Sequence, residues 1–294
     1  MREYSYKKID AFTSSTSSGN PAACLYLRDY ENLTEQEKQE IAKQHKGFVS
    51  EVVYCKNIEA GKYELSYYSS ECEVDFCGHG TIACMYSLIK DMPTLYHQQE
   101  ITINTTRKGL LTVYNKIEEQ NAVYITAPKP TYKECNLTRK EIALYLGIDM
   151  EVISETYSID IVNAGLSTLI VPITTLQDEV KIFPNEKELK EFCLCNNIDI
   201  ILIFTMEVGD RNNFAHTRVF APKFGYLEDP ATGSGNSAFG YYMQKHQLWD
   251  GKAIMVEQGG EDIEYNIVRL TTIQGNVLFG GSATDRIKGS YLVP

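Results

Sequence analysis

The sequence predicts an α+β protein of two similar domains, each a barrel-like curved sheet wrapped around one central helix. Three observations carry that reading. Two distant stretches are near copies: CGHGTIACMYSLI at 77–89 sets Gly78, Gly80 and Ala83 in a G-x-G-x-x-A pattern, and TGSGNSAFGYYM at 232–243 repeats it with Gly233, Gly235 and Ala238, 155 residues on. The order of strand-like runs and capped helices recurs on both sides of Ala127-Pro128-Lys129-Pro130. Finally, the 294 residues make roughly two domains of about 150 residues, so each half is long enough to bury its own core. The expected boundaries are 1–127, completed by the C-terminal segment 283–294, and 128–282.

Taken in order, the chain opens with a strand at 6–12, a small-residue tip TSSTSSGNP at 13–21 and a strand at 22–27. Thr34 with Glu37 three residues later forms a capping box for a helix reaching Lys46. Strands follow at 48–55 and 62–68, then the first glycine-led helix, which ends before Pro93. Further strand signals lie at 100–104, 110–115 and 122–126, where the proline-rich linker begins. Beyond it come a capped helix at 138–146, strands at 158–163 and 168–172, and a helix at 185–196. Strands at 198–207 and 216–220 lead into the second glycine-led helix, and strands at 253–258, 263–271 and 276–282 close the chain.

Composition narrows the function. With 39 acidic against 28 basic residues the net charge is −11, and no Lys/Arg cluster tracks a phosphate backbone, so nucleic acid is not an expected partner. No run of 18 apolar residues and no apolar leader segment follows the charged N-terminus, so no membrane partner is expected and the protein is placed in the cytoplasm. The eight cysteines are thinly spread and read as reduced thiols. No C-x-x-C occurs, Cys193-x-Cys195 is too tight for ordinary zinc spacing, and the five histidines are scattered, which argues against a metal. A nicotinamide reading of G-x-G-x-x-A lacks the acidic residue about twenty positions on and the βαβ order.

The chemistry is sought at the helix starts. A glycine pair opening an apolar helix leaves backbone N–H groups at the positive end of the helix dipole, a site for an anion. Glu51 alternates with Val49 and Val53 on one strand face; a desolvated carboxyl there would titrate nearer neutrality, as a general acid or base requires, although an outward-facing edge strand fits the same pattern. His79 lies inside the first helix start, where the dipole disfavours its cation, and Cys77 precedes it as a packing residue or an activated thiol. Asp229, extended before Pro230, joins Thr232 and Ser234 around the second start, as substrate contacts or as caps. Gly19 and Asn20 form a further turn, and Arg218 is read as a partner of Asp229, as a substrate-carboxylate ligand or, first, as one half of a surface salt bridge.

Four ordered blocks, IDAFTSSTSSGNPAACLYL at 9–27, SEVVY at 50–54, EVDFCGHGTIA at 73–83 and RVFAPKFGYLEDPATGSGNSAFGYYM at 218–243, together resemble the PhzF-like family, which shares the diaminopimelate epimerase fold. The resemblance implies a cofactor-independent isomerase, commonly a homodimer, with its site in an interdomain cleft. It assigns Glu51 as the residue that moves a proton on a small anionic metabolite, with His79 and Asp229 assisting, and Gly19, Asn20, Ser50, Gly78, Gly80, Gly233, Ser234 and Gly235 around the substrate. The related epimerases and racemases oppose two cysteines, one on each helix start. Here Cys77 fills the first position and Thr232 the second, and a hydroxyl is too weakly acidic for a symmetric two-thiol mechanism. Three readings follow: a one-base isomerase, an epimerase using Cys77 with another partner, and a silent ligand-binding relative.

Overall fold

The computed structural model describes residues 1–59, 61–260 and 264–293. Residue 263, where one expected strand starts, and residue 294, the end of the expected C-terminal segment, lie outside the described residues. The chain divides into two compact units, Met1–Thr126 with Gly280–Pro294, and Ala127–Phe279. The fold class is α+β, as the sequence predicts.

In the first unit lie β1 (Arg2–Ala11), β2 (Asn20–Leu27), β3 (Glu51–Glu59), β4 (Lys62–Ser69), β5 (Glu73–Val74), β6 (Glu100–Thr105), β7 (Gly109–Lys116) and β8 (Ala122–Thr126). The second holds β9 (Thr131–Lys133), β10 (Asp160–Asn163), β11 (Ser167–Pro172), β12 (Ile200–Thr205), β13 (Ala215–Phe220), β14 (Glu228–Asp229), β15 (Ile254–Gln258) and β16 (Asn266–Ile273). The unit boundary falls inside β17 (Asn276–Gly281), and β18 (Ala283–Val293) pairs antiparallel with β1.

The internal repeat is visible in the pairing. Starting from β1, successive partners are β2 antiparallel, β3 parallel, β4 antiparallel, β6 parallel and β7 antiparallel. From β10 the same alternation runs through β11, β12, β13, β15 and β16. In each unit a two-residue strand, β5 or β14, pairs back on its neighbour just before the long helix.

Those helices, Gly78–Asp91 and Gly233–Lys245, are apolar almost all round, which is the composition of a helix enclosed by its own sheet. Ile82, Met85 and Ile89 are buried in the first unit, and Phe239, Tyr242 and Met243 in the second. Outside the first sheet, the helix Glu35–Gln44 starts on the expected Thr34–Glu37 capping box and lays Ile41 and Ala42 on a layer with Leu25, Val52 and Tyr68. The helix Arg139–Leu146 likewise starts on a complete Thr138–Glu141 box and ends at Gly147 in the left-handed region.

One boundary differs in a way that matters. The strand expected from residue 48 begins at Glu51, because residues 45–49 close the preceding helix with a turn in which the N–H groups of Phe48 and Val49 donate to the His45 carbonyl. Glu51 is therefore the first residue of β3 and not a mid-strand residue between valines. Among the described residues no helix is long and apolar enough to cross a membrane.

Candidate active site

In the first unit the site grows from the end of β5. Cys77 caps the long helix with an extended backbone (φ −129°, ψ 108°), and its thiol accepts a hydrogen bond from the Gly80 N–H at 3.3 Å. One turn further on, the Thr81 hydroxyl donates back to the Cys77 carbonyl at 2.7 Å, and Tyr67, fully buried, donates to Thr81 at 2.7 Å. The first turn is thereby fixed by side chains, while its leading N–H groups keep no partner within the helix.

Glu51 reaches the same place from the sheet. The parallel register of β2 and β3 sets Ala22 beside Glu51, directly after Pro21 and Asn20. Glu51 Oε2 lies 3.3 Å from His79 Nε2, with side chains 21% and 13% exposed. Burial pushes the His79 pKa down to about 4, opposed in part by a hydrogen bond from its ring to the Pro21 carbonyl. The ring is neutral at neutral pH, and desolvation is the largest cause, where the sequence reading invoked the helix dipole. Cys77 Sγ is 3.5 Å from His79 Nδ1, so one ligand atom each from Glu51, Cys77 and His79 falls within 4.8 Å of the others. Nothing in the sequence spacing announces that trio, because Glu51 stands on another element.

The remaining first-unit candidates flank this group. Gly19, in the left-handed region at φ 71°, turns the chain into Asn20, which is buried at the start of β2. Ser50 is exposed immediately before Glu51, and Gly78 and Gly80 occupy the first turn of the helix.

In the second unit Asp229 ends β14, paired with Val219, and Thr232 takes the N-cap position with φ −121° and ψ 109°. Gly233, Ser234 and Gly235 form the first turn, with Ser234 half-buried at the position that His79 holds in the other helix. Of the two sequence readings of Thr232, substrate contact or cap, the cap does not hold for its hydroxyl, which makes no cap bond. Buried Gln258 replaces it: its Oε1 accepts from the Thr232 N–H at 2.9 Å and from Asn236 Nδ2 at 2.8 Å, while its Nε2 donates to the Asp229 carbonyl at 2.8 Å. Asn236 also donates to the Thr232 carbonyl at 3.0 Å, as Thr81 does to Cys77.

Arg218 is corrected on two counts. It is buried, not a surface residue, and its partner is Glu228, gripped at 2.9 and 2.7 Å, while it also donates to the carbonyls of Glu179, Val180 and Ile182. Those bonds occupy the guanidinium within the fold. Sequence reasoning missed the Pro21 carbonyl and Gln258. Proline marks a backbone acceptor by lacking a donor, but a glutamine on a closing strand carries no signal of its own.

The family model for phenazine biosynthesis-like protein (PhzC-PhzF) matches residues 9–283. An uncharacterized isomerase, YfhB of Bacillus subtilis, is 32% identical over 265 residues, covering 89% of this chain and 88% of that protein. The crystal structure of a Bacillus anthracis phenazine biosynthesis protein of the PhzF family superposes over 100% of both chains, with a TM-score of 0.86 and 25% identity. A hydroxyproline epimerase from Agrobacterium vitis, solved with trans-4-hydroxy-L-proline bound, shares the fold at a TM-score of 0.60 and 11% identity, covering 98% of this chain and 92% of that one.

Proposed function

Because the chain belongs to the phenazine biosynthesis-like protein family, we propose that it is an isomerase that relocates a proton, or shifts a double bond, on a small anionic carboxylate metabolite. Glu51 is the acid/base. The observation that carries this role is its carboxyl oxygen 3.3 Å from a histidine held neutral by burial. With a ring N–H given to the Pro21 carbonyl, the other ring nitrogen accepts from the protonated carboxyl, so His79 supports the acid half of the cycle. No resident cofactor enters this scheme.

The glycine-led helix starts hold anionic groups through backbone N–H donors, from Gly233, Ser234 and Gly235 in one case and from Gly78 in the other, where the Gly80 N–H is taken by Cys77 Sγ and Gly80 serves by lacking a side chain. Gly19, Asn20 and Ser50 shape the first substrate contact, and Asp229 assists at the second helix start. Thr232 in the position matching Cys77 supports this one-base scheme over racemisation by opposed thiols. Family membership supports a homodimer, and eight free thiols suit a reducing, cytoplasmic setting.

Positioned proton transfer contributes roughly 10² to 10⁴ in rate, about 3–5 kcal/mol. The test incubates wild type and Glu51→Gln with a metabolite extract in D₂O and follows deuterium uptake by mass spectrometry. Uptake on one compound, slower by that factor in the variant, is expected. Equal labelling by both proteins overturns the assignment of Glu51.

A further inference from the structure

We propose that Glu51, Cys77 and His79 also form an inhibitory binding site for a thiophilic divalent cation of the zinc class. The regulatory half of this inference rests on the isomerase reading above; the binding half does not. A carboxylate, a thiolate and an imidazole make a mixed donor set that suits zinc or cobalt and is a poor match for magnesium or calcium.

The geometry is close to what such an ion needs. Metal–donor bonds of about 2.0–2.3 Å at tetrahedral angles set neighbouring donor atoms about 3.4–3.6 Å apart. His79 Nε2 stands 3.3 Å from Glu51 Oε2 and 3.8 Å from Cys77 Sγ, and one ligand atom from each of the three residues lies within 4.8 Å of the others. A small adjustment of His79 against its two neighbours and a closing of the Glu51–Cys77 pair, which lies within 4.8 Å, complete three corners of the tetrahedron, leaving the fourth for water or a substrate oxygen. The hydrogen bond from the His79 ring to the Pro21 carbonyl supplies the outer-shell partner that orients metal-binding imidazoles.

On binding, the Cys77 S–H bond breaks, its proton leaves to solvent, and a sulfur–metal bond forms. Thiolate and carboxylate then balance the two positive charges, so the complex adds no net cation at the helix start. The same event takes the Glu51 lone pair that proton transfer uses. Zinc therefore switches the enzyme off, and a chelator restores it.

The experiment titrates purified full-length protein, with exposed Cys72 and Cys195 changed to serine, with cobalt(II) and then zinc chloride. One equivalent of cobalt per chain is expected, with thiolate-to-cobalt absorption that zinc abolishes. Cys77→Ser keeps a good N-cap residue, so it folds, and it loses that absorption and weakens binding more than about 100-fold, beyond what losing an outer-shell partner costs. His79→Asn, a second variant, also loses the site. Stoichiometry unchanged by either substitution, or a cobalt spectrum without thiolate absorption, overturns the proposal. Zinc is also expected to stop deuterium uptake in the wild type but not in Cys77→Ser. The cobalt signal needs no turnover, so its absence leaves the isomerase reading standing, whereas equal labelling by Glu51→Gln removes that reading and leaves the metal site intact.

Discussion

The two glycine-led helix starts share a backbone and differ in chemistry. Their N-cap residues sit at φ −129°, ψ 108° and φ −121°, ψ 109°, and in both a side chain four residues on, Thr81 or Asn236, bonds back to the N-cap carbonyl. Around that common frame the first start gathers a carboxyl, a thiol and an imidazole, while the second is tied by the amide of Gln258 and bears a serine where the first has His79. Duplication preserved the part that offers backbone N–H groups and let the side chains diverge. On the proposed function, the first copy carries the proton transfer and the second chiefly holds an anion.

The sharpest way to break that contrast is to remove the proton carrier. Glu51→Gln is expected to slow deuterium uptake by 10² to 10⁴, about 3–5 kcal/mol of barrier, whereas Ser234→Ala at the second start should leave uptake within about tenfold of wild type. A comparable loss from both substitutions would mean that the chemistry is shared between the two starts.

Acid sharpens the same contrast. The His79 pKa of about 4 in the folded protein lies below the usual histidine value of 6.5, so the unfolded chain takes up a proton that the folded one refuses. The stability due to the neutral ring is complete above pH 6.5 and is lost as pH falls from there through 4, by at most about 3 kcal/mol. Denaturation followed across that window in chelator-treated protein should show the loss in wild type and its disappearance in His79→Asn. At the second start the run from Thr232 to Asn236 contains no ionisable side chain, and Asp229 stands just before it.

Much of this was legible beforehand, for local reasons. Both capping boxes and the two helix starts are written in residues three or four apart, and the structure finds them at Thr34–Glu37, Thr138–Glu141, Gly78 and Gly233. The illegible parts depend on distant partners. β18 has a mostly exposed, charged face without alternation, and it is a strand because Arg2 pairs with Val293 and Ala11 with Ala283 across nearly the whole chain. Glu51 meets His79 only because β3 lies parallel to β2 and its first residue comes level with Ala22, next to Pro21 at the start of β2. Arg218 takes Glu228 and three carbonyls where local sequence offered Asp229. Those choices are settled by sheet register, which no short motif encodes.

Packing separates the two starts by a smaller margin. A Cβ on Gly233 would sit 2.3 Å from a ring carbon of Phe279, and one on Gly80 would sit 2.8 Å from a Val53 methyl and 2.9 Å from Cys77 Sγ. The phenyl ring is stiff and buried, so Gly233→Ala is expected to cost about 2–3 kcal/mol and Gly80→Ala about 1–2, read from the urea midpoints of the two variants. The smallest effect tests the caps themselves. Cys77→Ser exchanges a weak sulfur acceptor for a hydroxyl oxygen at the Gly80 N–H and should change stability by less than about 1 kcal/mol, toward greater stability. Thr232→Ala at the matching position removes no bond to a helix N–H, only the acceptance of a 3.1 Å bond from Gln258 Nε2. Its cost should therefore come from that lost buried contact, about 1 kcal/mol, and should largely vanish in a Gln258→Ala background. A Thr232→Ala penalty that persists there would mean that the hydroxyl supports the helix start directly, and the two caps would then be alike in mechanism as well as in backbone.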